Sequence, residues 1–354
     1  MNALRYAAAV LLFVLLALCS NRRVTAPADV VKPPVQLRLL FAGDVMQHLP
    51  QVTAARTAAG FDYAPVFAAL RPRFDSADLV VVNLETTLTR AEPYTGYPRF
   101  RSPAVLADAL REAGVDVAVM ANNHCCDGDA AGVRTTTEKL DSCGILRTGV
   151  FTDSADRAAH HPLWLVRRQI PIALLNYTYS TNGIPVPHGI AVNRIDTAAM
   201  AADVAEARRR GAKCVAVCIH WGNEYERTPN AEQRAIAGSL RRAGADLIIG
   251  SHPHVIQTYE VDSTHVLFYS LGNFVSNQRR RYCDGGLMAA VTLTQHPDGH
   301  ITYAAEAIPV WVALPGYRIL PIDVADTMNL PEAYTLFRSD QQVASLKFSG
   351  ERRE

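Results

Sequence analysis

The stretch 117-VAVMANNHCCDGDAAG-132 governs how the rest of the chain is read. Its first five residues, 117–121, are an apolar, β-rich run that predicts a buried strand. The run stops at Asn122, Asn123 and His124, two amides and an imidazole. Two cysteines and an acidic, glycine-containing turn follow, and then a segment with helical spacing. A strand followed by polar side chains and then a helix is the pattern expected at the carboxyl-end rim of an α/β sheet. Ligands bind there, outside the carboxyl ends of the strands.

Other apolar runs end in the same way. "LLFAG" ends at Asp44, and "LVVVNL" carries Asn83 and ends at Glu85. "CVAVCI" ends at His220, "LIIG" at Ser251, His252 and His254, and "LFYSLG" at Asn273. Helix-like segments separate these runs. "SPAVLADALREAGV" predicts a helix with Ser102 as N-cap and Pro103 in its first turn. "AAGVRTTTEKLDSCGI" predicts one that closes at Gly144, and "DTAAMAADVAEARRRGA" one capped by Asp196. "FDYAPVFAALRPRFDSA" has helical spacing broken by Pro72. The alternation predicts an α/β fold with buried, largely parallel strands. "GLMAAVTLTQ" and "HITYAAEAIPVWV" alternate like antiparallel strands, so the region after residue 265 predicts a second sheet packed on the first. The closing "SDQQVASLKFSGERRE" reads as frayed.

Composition sets outer bounds. Hydrophobic residues make up 49% of the 354 and charged residues 19%, which indicates a globular chain. A net charge of +1 gives no argument for a nucleic-acid partner, and none is expected. The arginine runs at 208–210 and 241–242 read as solvated faces. The third, at 279–281, directly follows "GNF" and is the basic patch nearest the motif positions; it would hold phosphate or an acidic chain, or else form a solvated loop.

The chain opens with Arg5 and an apolar stretch over residues 6–18, the n-region and h-region of a secretory signal. "LALC" resembles a bacterial lipoprotein cleavage site, with Cys19 as the lipidated residue. Ordinary cleavage and an uncleaved anchor are the alternatives, and all three export the protein body, either anchored in the cell envelope or secreted. The expected organisation is a signal or anchor at 1–19, a Pro-rich tether at 20–36, a domain at 37–325 and a C-terminal extension at 326–354. Cys125 and Cys126 are expected as packing residues or as half of a disulfide to Cys143 or Cys283.

The polar strand ends suggest a metal centre. Asp44 and Glu85 supply hard anionic oxygens, His220, His252 and His254 imidazole nitrogens, and Asn123 an amide oxygen. Such a mixed set suits Zn, Mn or Fe rather than a thiolate site. A carboxylate shared by two ions would hold them about 3.5–4 Å apart, the spacing used to polarise a phosphoryl group. In "GSHPHV", an extended backbone would place His252 and His254 on one face; a tight turn is the other possibility.

Taken together, "FAGDVM", "VNLETTLT", "ANNH", "HWGNEY", "GSHPHV" and "YSLGNF" resemble the signature blocks of the CapA-type poly-γ-glutamate capsule biosynthesis proteins, relatives of the calcineurin-like metallophosphoesterases. The resemblance implies a four-layer α/β/β/α sandwich with one or two divalent ions between its sheets. By position, Asp44 and His254 would bind the first metal and Glu85 would bridge both. Asn123, His220 and His252 would bind the second. His124 would approach the phosphate and assist the leaving group. Asn83, Asn122 and Asn273 would orient ligands, and Glu224 and Tyr225 would line the site. The pattern departs from the superfamily at Met46, where a histidine ligand is usual, and at Glu85, which replaces an aspartate; His48 is the nearest substitute. The implied role is synthesis, transport or anchoring of an anionic envelope polymer, together with other capsule-synthesis membrane proteins. A non-catalytic assembly scaffold and chemistry at a γ-glutamyl amide are the alternatives.

Overall fold

The computed structural model describes the backbone of residues 33–348 and side chains through residue 341. The signal segment, Cys19 and nearly all of the tether lie outside the described residues. Four parallel strands come first: β1 (Val35–Val45), β2 (Leu79–Leu84), β3 (Val117–Val119) and β4 (Leu146–Thr148). Helices α1 (Leu106–Ala113) and α2 (Asp129–Cys143) lie between the later pairs. The chain then builds a second sheet from β5 (Leu163–Arg167), β6 (Ile170–Thr178), β7 (Cys214–His220), β8 (Leu247–Ser251), β9 (Tyr259–Val261) and β10 (Val266–Phe268). Its order is β5-β6-β7-β8-β10-β9, with β6, β7, β8 and β10 parallel. Helices α3 (Thr197–Arg209) and α4 (Ala231–Ala243) connect β6, β7 and β8.

The chain finally returns to the first sheet. β11 (Asn273–Val275) pairs parallel with the end of β1, matching Asn273 to Asp44. β12 (Gly285–Gln295), β13 (Ile301–Ala313) and β14 (Arg318–Pro321) then extend that sheet antiparallel from the same side of β1. The pairing of β12 with β1 stops at Ala42, and β11 takes over at Asp44.

Strand periodicity explains the layers, because successive side chains point to opposite faces. Leu37, Leu39 and Phe41 of β1 pack against Leu174, Ala216 and Ile249 of the second sheet. Leu40 and Ala42 face the other way, toward Leu106 and Leu110 of α1 and Val133 and Leu140 of α2. On the far side of the second sheet, Leu175 and Val217 meet Val204 of α3 and Ile236 of α4. The result is four layers, helices, sheet, sheet, helices, as the family resemblance implies. Among the described residues no helix is long and apolar enough to cross a membrane.

Helix ends follow local chemistry. Asp196 caps α3 by accepting from the Ala198 and Ala199 N–H groups, and Gly144 closes α2 at φ 71°. Three expectations change. The second sheet is built before residue 269, and the strands after residue 285 rejoin the first sheet because β1 offers them its open edge. Ser102 does not cap α1; Arg101–Pro103 is drawn into a short parallel pairing with Thr87–Thr89, and Ser102 Oγ lies 2.6 Å from Thr86 Oγ1. The segment read as frayed is helical to Phe348 in α5 (Glu332–Phe348), whose Tyr334 and Phe337 pack on Trp311.

Two glycines test this packing with opposite signs. A Cβ on Gly250 of β8 would lie 2.0 Å from the Tyr269 carbonyl oxygen and 2.5 Å from Trp221 Nε1. Gly250→Ala should lower stability by about 2–3 kcal/mol, the cost of overpacking a close-packed site. A Cβ on Gly238, inside α4, meets only the mobile end of Arg242, at 3.3 Å. Gly238→Ala should raise stability by about 0.5–1 kcal/mol. Urea midpoints at unchanged m-value check both.

Candidate metal centre

The position of Asp44 depends on the glycine before it. A Cβ on Gly43 would fall 2.0 Å from the Gly272 carbonyl oxygen, so only glycine admits the turn that leads into β11. The Asp44 N–H donates to that oxygen at 3.1 Å, and the register of β1 slips between Ala42 and Asp44. Glu85 follows β2 directly, its N–H held by the Val45 carbonyl at 3.0 Å. His220 is the last residue of β7. His252 and His254 lie beyond β8 in a turn, at φ 101° and 57°. The extended alternative for "SHPH" is therefore replaced by a left-handed backbone at both histidines. Such residues cost about 1–3 kcal/mol each and persist where the surroundings over-determine them.

These elements bring the charged and imidazole groups together in the interior. His254 Nδ1 is 3.1 Å from Asp44 Oδ2, and His220 Nε2 is 2.9 Å from Asn123 Oδ1. Glu85 Oε1 lies 3.5 Å from His220 Nε2 and 4.0 Å from His254 Nε2. The His220 and His252 rings are 4.8 Å apart. Asp44 and Glu85 have no exposed surface. Two groups among the described residues could each hold an ion, Asp44–Glu85–His220 and Glu85–His252–His254, with ligand atoms within 4.8 Å of one another. Glu85 is common to both.

The donor set fits divalent ions on a physical test. Neither Glu85 carboxylate oxygen has a hydrogen-bond partner, nor does His252 Nδ1. A buried carboxylate without partners is strongly disfavoured unless a cation or a proton neutralises it. Burial accordingly raises the Glu85 carboxyl well above its usual range, and the nearby Asp44 charge adds to this. Burial also pushes Asp44 upward, but the imidazoles of His254 and His220 and the Asn83 amide outweigh it and hold the carboxyl low. Burial depresses His220 to about 3 and depresses His252 as well, leaving neutral nitrogens suited to ligation. His254 differs: burial lowers it, but Glu85 and Asp44 raise it to about 9.

The supporting groups form a chain. Asn83 Nδ2 donates to Asp44 Oδ1 at 2.8 Å, and Asn122 Nδ2 reaches Asn83 Oδ1 at 3.2 Å and the Leu84 carbonyl at 2.8 Å. Asn122 Oδ1 accepts the His124 N–H at 3.1 Å, which sets the turn of the opening motif. Tyr225 lies with its ring 6.2 Å from His254. Glu224 is exposed, yet its charge acts on both Glu85 and His254. Asn273 pairs with Asp44 through the backbone, but its amide N–H groups donate to the Cys283 carbonyl and Gln278 Oε1, away from the ligand atoms. Met46 is buried and apolar. His48 belongs to neither triad; its Nδ1 accepts the Asn277 N–H at 3.3 Å, and burial lowers it to about 4.

Three residues escaped the sequence reading. Asp127 Oδ2 lies 2.7 Å from His124 Nδ1 and accepts the Phe100 N–H at 2.6 Å, while the Phe100 ring packs edge-on against His124 at 4.6 Å. Asn182 accepts from Asn123 Nδ2 at 3.2 Å, and Tyr179 packs 4.6 Å from the His252 ring. Both follow β6, so the strand-end rule would have found them had it been applied to "LLNYTYSTN". Asp127 lay hidden in what reads as an acidic turn. All six cysteines among the described residues are free; Cys125 and Cys126 are core residues with sulfurs 3.9 Å apart, and neither belongs to a candidate metal group.

Comparison with known proteins agrees with this architecture. The model of the family described as "Bacterial capsule synthesis protein PGA_cap" matches residues 38–278. The capsule biosynthesis protein CapA of Bacillus anthracis is 28% identical over 69% of this chain and 60% of its own length. The PGA biosynthesis protein CapA of Bacillus subtilis is 29% identical over 67% of this chain and 63% of its own. The match thus spans less than two thirds of these relatives. The NAD nucleotidase of Haemophilus influenzae shares the fold, at TM-score 0.50 and 11% identity, over 88% of this chain and 67% of that one. With an α/β/β/α sandwich and a family match over residues 38–278, most of its length, the chain belongs to the bacterial capsule synthesis protein PGA_cap family.

Proposed function

We propose that this protein is an exported, membrane-associated, metal-dependent phosphoesterase-like enzyme acting in the synthesis, transport or anchoring of an anionic capsule polymer. The observation that carries the reading is the buried Glu85 carboxylate, without a hydrogen-bond partner and common to two ligand triads. Asp44, Glu85, Asn123, His220, His252 and His254 would hold one or two ions of Mn, Fe or Zn. When bound, such ions supply Lewis acidity toward a phosphoryl oxygen and neutralise developing charge. The CapA relatives support a polymer role, and the apolar segment at residues 6–18 supports export and attachment to the envelope.

The chain's own residues supply the proton chemistry. With its Nδ1 facing Asp127 at 2.7 Å, His124 donates Nδ1–H to that carboxylate. Nε2 is then the atom that exchanges a proton with a leaving-group oxygen or hydrogen-bonds a phosphoryl oxygen. Asp127 fixes the tautomer and, with the edge of Phe100, the ring orientation. The Asn122–Asn83–Asp44 chain fixes the carboxylate in the same way, so little reorganisation remains for the reaction.

A scaffold reading has one observation in its favour: Met46, buried and apolar, occupies the position where the superfamily pattern expects a ligand. Metal content separates the two. The purified protein should carry one to two equivalents of Mn, Fe or Zn by mass spectrometry, with loss in Glu85→Ala and His252→Ala. Phosphodiester or phosphomonoester turnover should vanish with the metal and fall about 10²–10⁴-fold in His124→Ala. A metal-free protein that still restores polymer export would overturn the enzyme reading. Asp127→Asn should keep its metal and KM but lose about 10–100-fold in kcat, as steady-state kinetics would show.

A further inference from the structure

The arginine run at residues 279–281 is divided by the fold. Arg279 is used internally: its guanidinium donates to the Val312 carbonyl at 2.9 Å and lies over Tyr317. Arg281 pairs with Asp340 through two contacts, at 2.8 and 3.2 Å. Arg280 does neither. Its guanidinium sits 4.6 Å from the centre of the Tyr225 ring, and that ring is 6.2 Å from His254. A second tyrosine carries guanidinium groups in the same way: Arg227 lies 4.1 Å from the centre of the Tyr282 ring, and the Asp340-paired Arg281 lies 4.8 Å from it. Among the described residues, neither Arg280 nor Arg227 takes part in an ion pair, whereas Arg281 does.

Both tyrosines have a left-handed backbone, Tyr225 at φ 67° and Tyr282 at φ 74°. Bulky residues seldom adopt it, and its recurrence at two aromatic platforms marks a constrained arrangement. Each platform is tied to the metal centre. The Tyr225 N–H donates to the Pro253 carbonyl at 2.8 Å, inside the His252–His254 turn. The loop that carries Arg280 and Tyr282 is tied by Asn273, the strand partner of Asp44, through the Cys283 carbonyl at 2.8 Å and Gln278 Oε1 at 2.9 Å. A guanidinium seated on an aromatic ring keeps its N–H edges for planar, bidentate recognition of an oxyanion.

We propose that Arg280 and Arg227, each seated on a tyrosine, form a subsite for the carboxylate or phosphate groups of an acidic chain whose reacting group lies at the Asp44–Glu85 cluster. The subsite deepens the enzyme reading and rests on it for the identity of the reacting centre. It assigns Asn273 a task as well: holding the arginine loop against the strand that carries Asp44.

The test is binding rather than turnover. A γ-linked glutamate decamer and a linear polyphosphate of equal charge are titrated into the full-length protein, metal-loaded and chelator-treated, at fixed low salt. Arg280→Ala and Arg227→Ala should each weaken binding about tenfold, the value of one charge-assisted hydrogen bond, with thermal midpoints confirming folding. Arg280→Lys, which keeps the charge but not the fork, should fall between. Arg242→Ala, at the opposite end of the sheet, controls for net charge and should change affinity less than about twofold. Arginine dependence seen with the decamer identifies a carboxylate chain, and with polyphosphate a phosphate chain; either supports the subsite. Wild-type affinity in both alanine variants, or a loss no larger than that of Arg242→Ala, overturns it. Arginine-dependent binding by a protein without turnover would leave the subsite standing and remove the catalytic reading. Full turnover with arginine-insensitive binding would do the reverse.

Discussion

A carboxylate sealed between two sheets with no hydrogen-bond partner is the group around which this structure is arranged. Glu85 has no exposed surface and both its oxygens lack hydrogen-bond partners. Left charged and alone, it would destabilise the fold by several kcal/mol. Close-packed side chains could have replaced it at no such cost. Instead three imidazoles and a second carboxylate converge on it from three other chain segments. Stability alone would not select that arrangement, whereas cation binding would.

The fold produces the convergence by ending its parallel strands at one rim. Asp44, Glu85 and His220 stand at or just beyond strand ends, while Asn123 and the His252–His254 pair lie in turns that follow strands. Backbone proximity is then enforced by residues with no side chain to obstruct it. Gly43 lets β1 touch the turn at Gly272, and Gly250 lets β8 pass under the Tyr269 carbonyl and Trp221. The left-handed histidines complete the cage. Electrostatics follow from the burial: it pushes His220 and His252 toward the neutral form and raises the Glu85 carboxyl, while the neighbouring imidazoles and the Asn83 amide hold Asp44 low.

Much of this was legible in the sequence because it depends on local periodicity. Continuous apolar runs located the parallel strands, and polar residues at their ends located the rim. Asp196 and Gly144 marked helix ends through chemistry that acts within a few residues. What was not legible depends on which strand pairs with which. Nothing local says that residues 285–321 return to β1, or that Arg101–Pro103 pairs with Thr87–Thr89 and so takes Ser102 away from its helix. Asp127 was missed for a similar reason. Its partner is only three residues away, but the turn that aims it at His124 is set by Phe100, which lies on a different segment. The role of each arginine in the 279–281 run was equally invisible, since Asp340, Tyr225 and Val312 are far away along the chain.

The most direct measurement of the central claim is thermal unfolding of the wild type and Glu85→Gln, each with and without a chelator. If the buried carboxylate exists to hold cations, chelation lowers the wild-type midpoint and added Mn or Zn restores it. Glu85→Gln, which replaces the buried charge by a neutral amide, then responds weakly to either treatment and is at least as stable as the chelated wild type. A wild-type midpoint that is the same with and without the chelator would contradict the account.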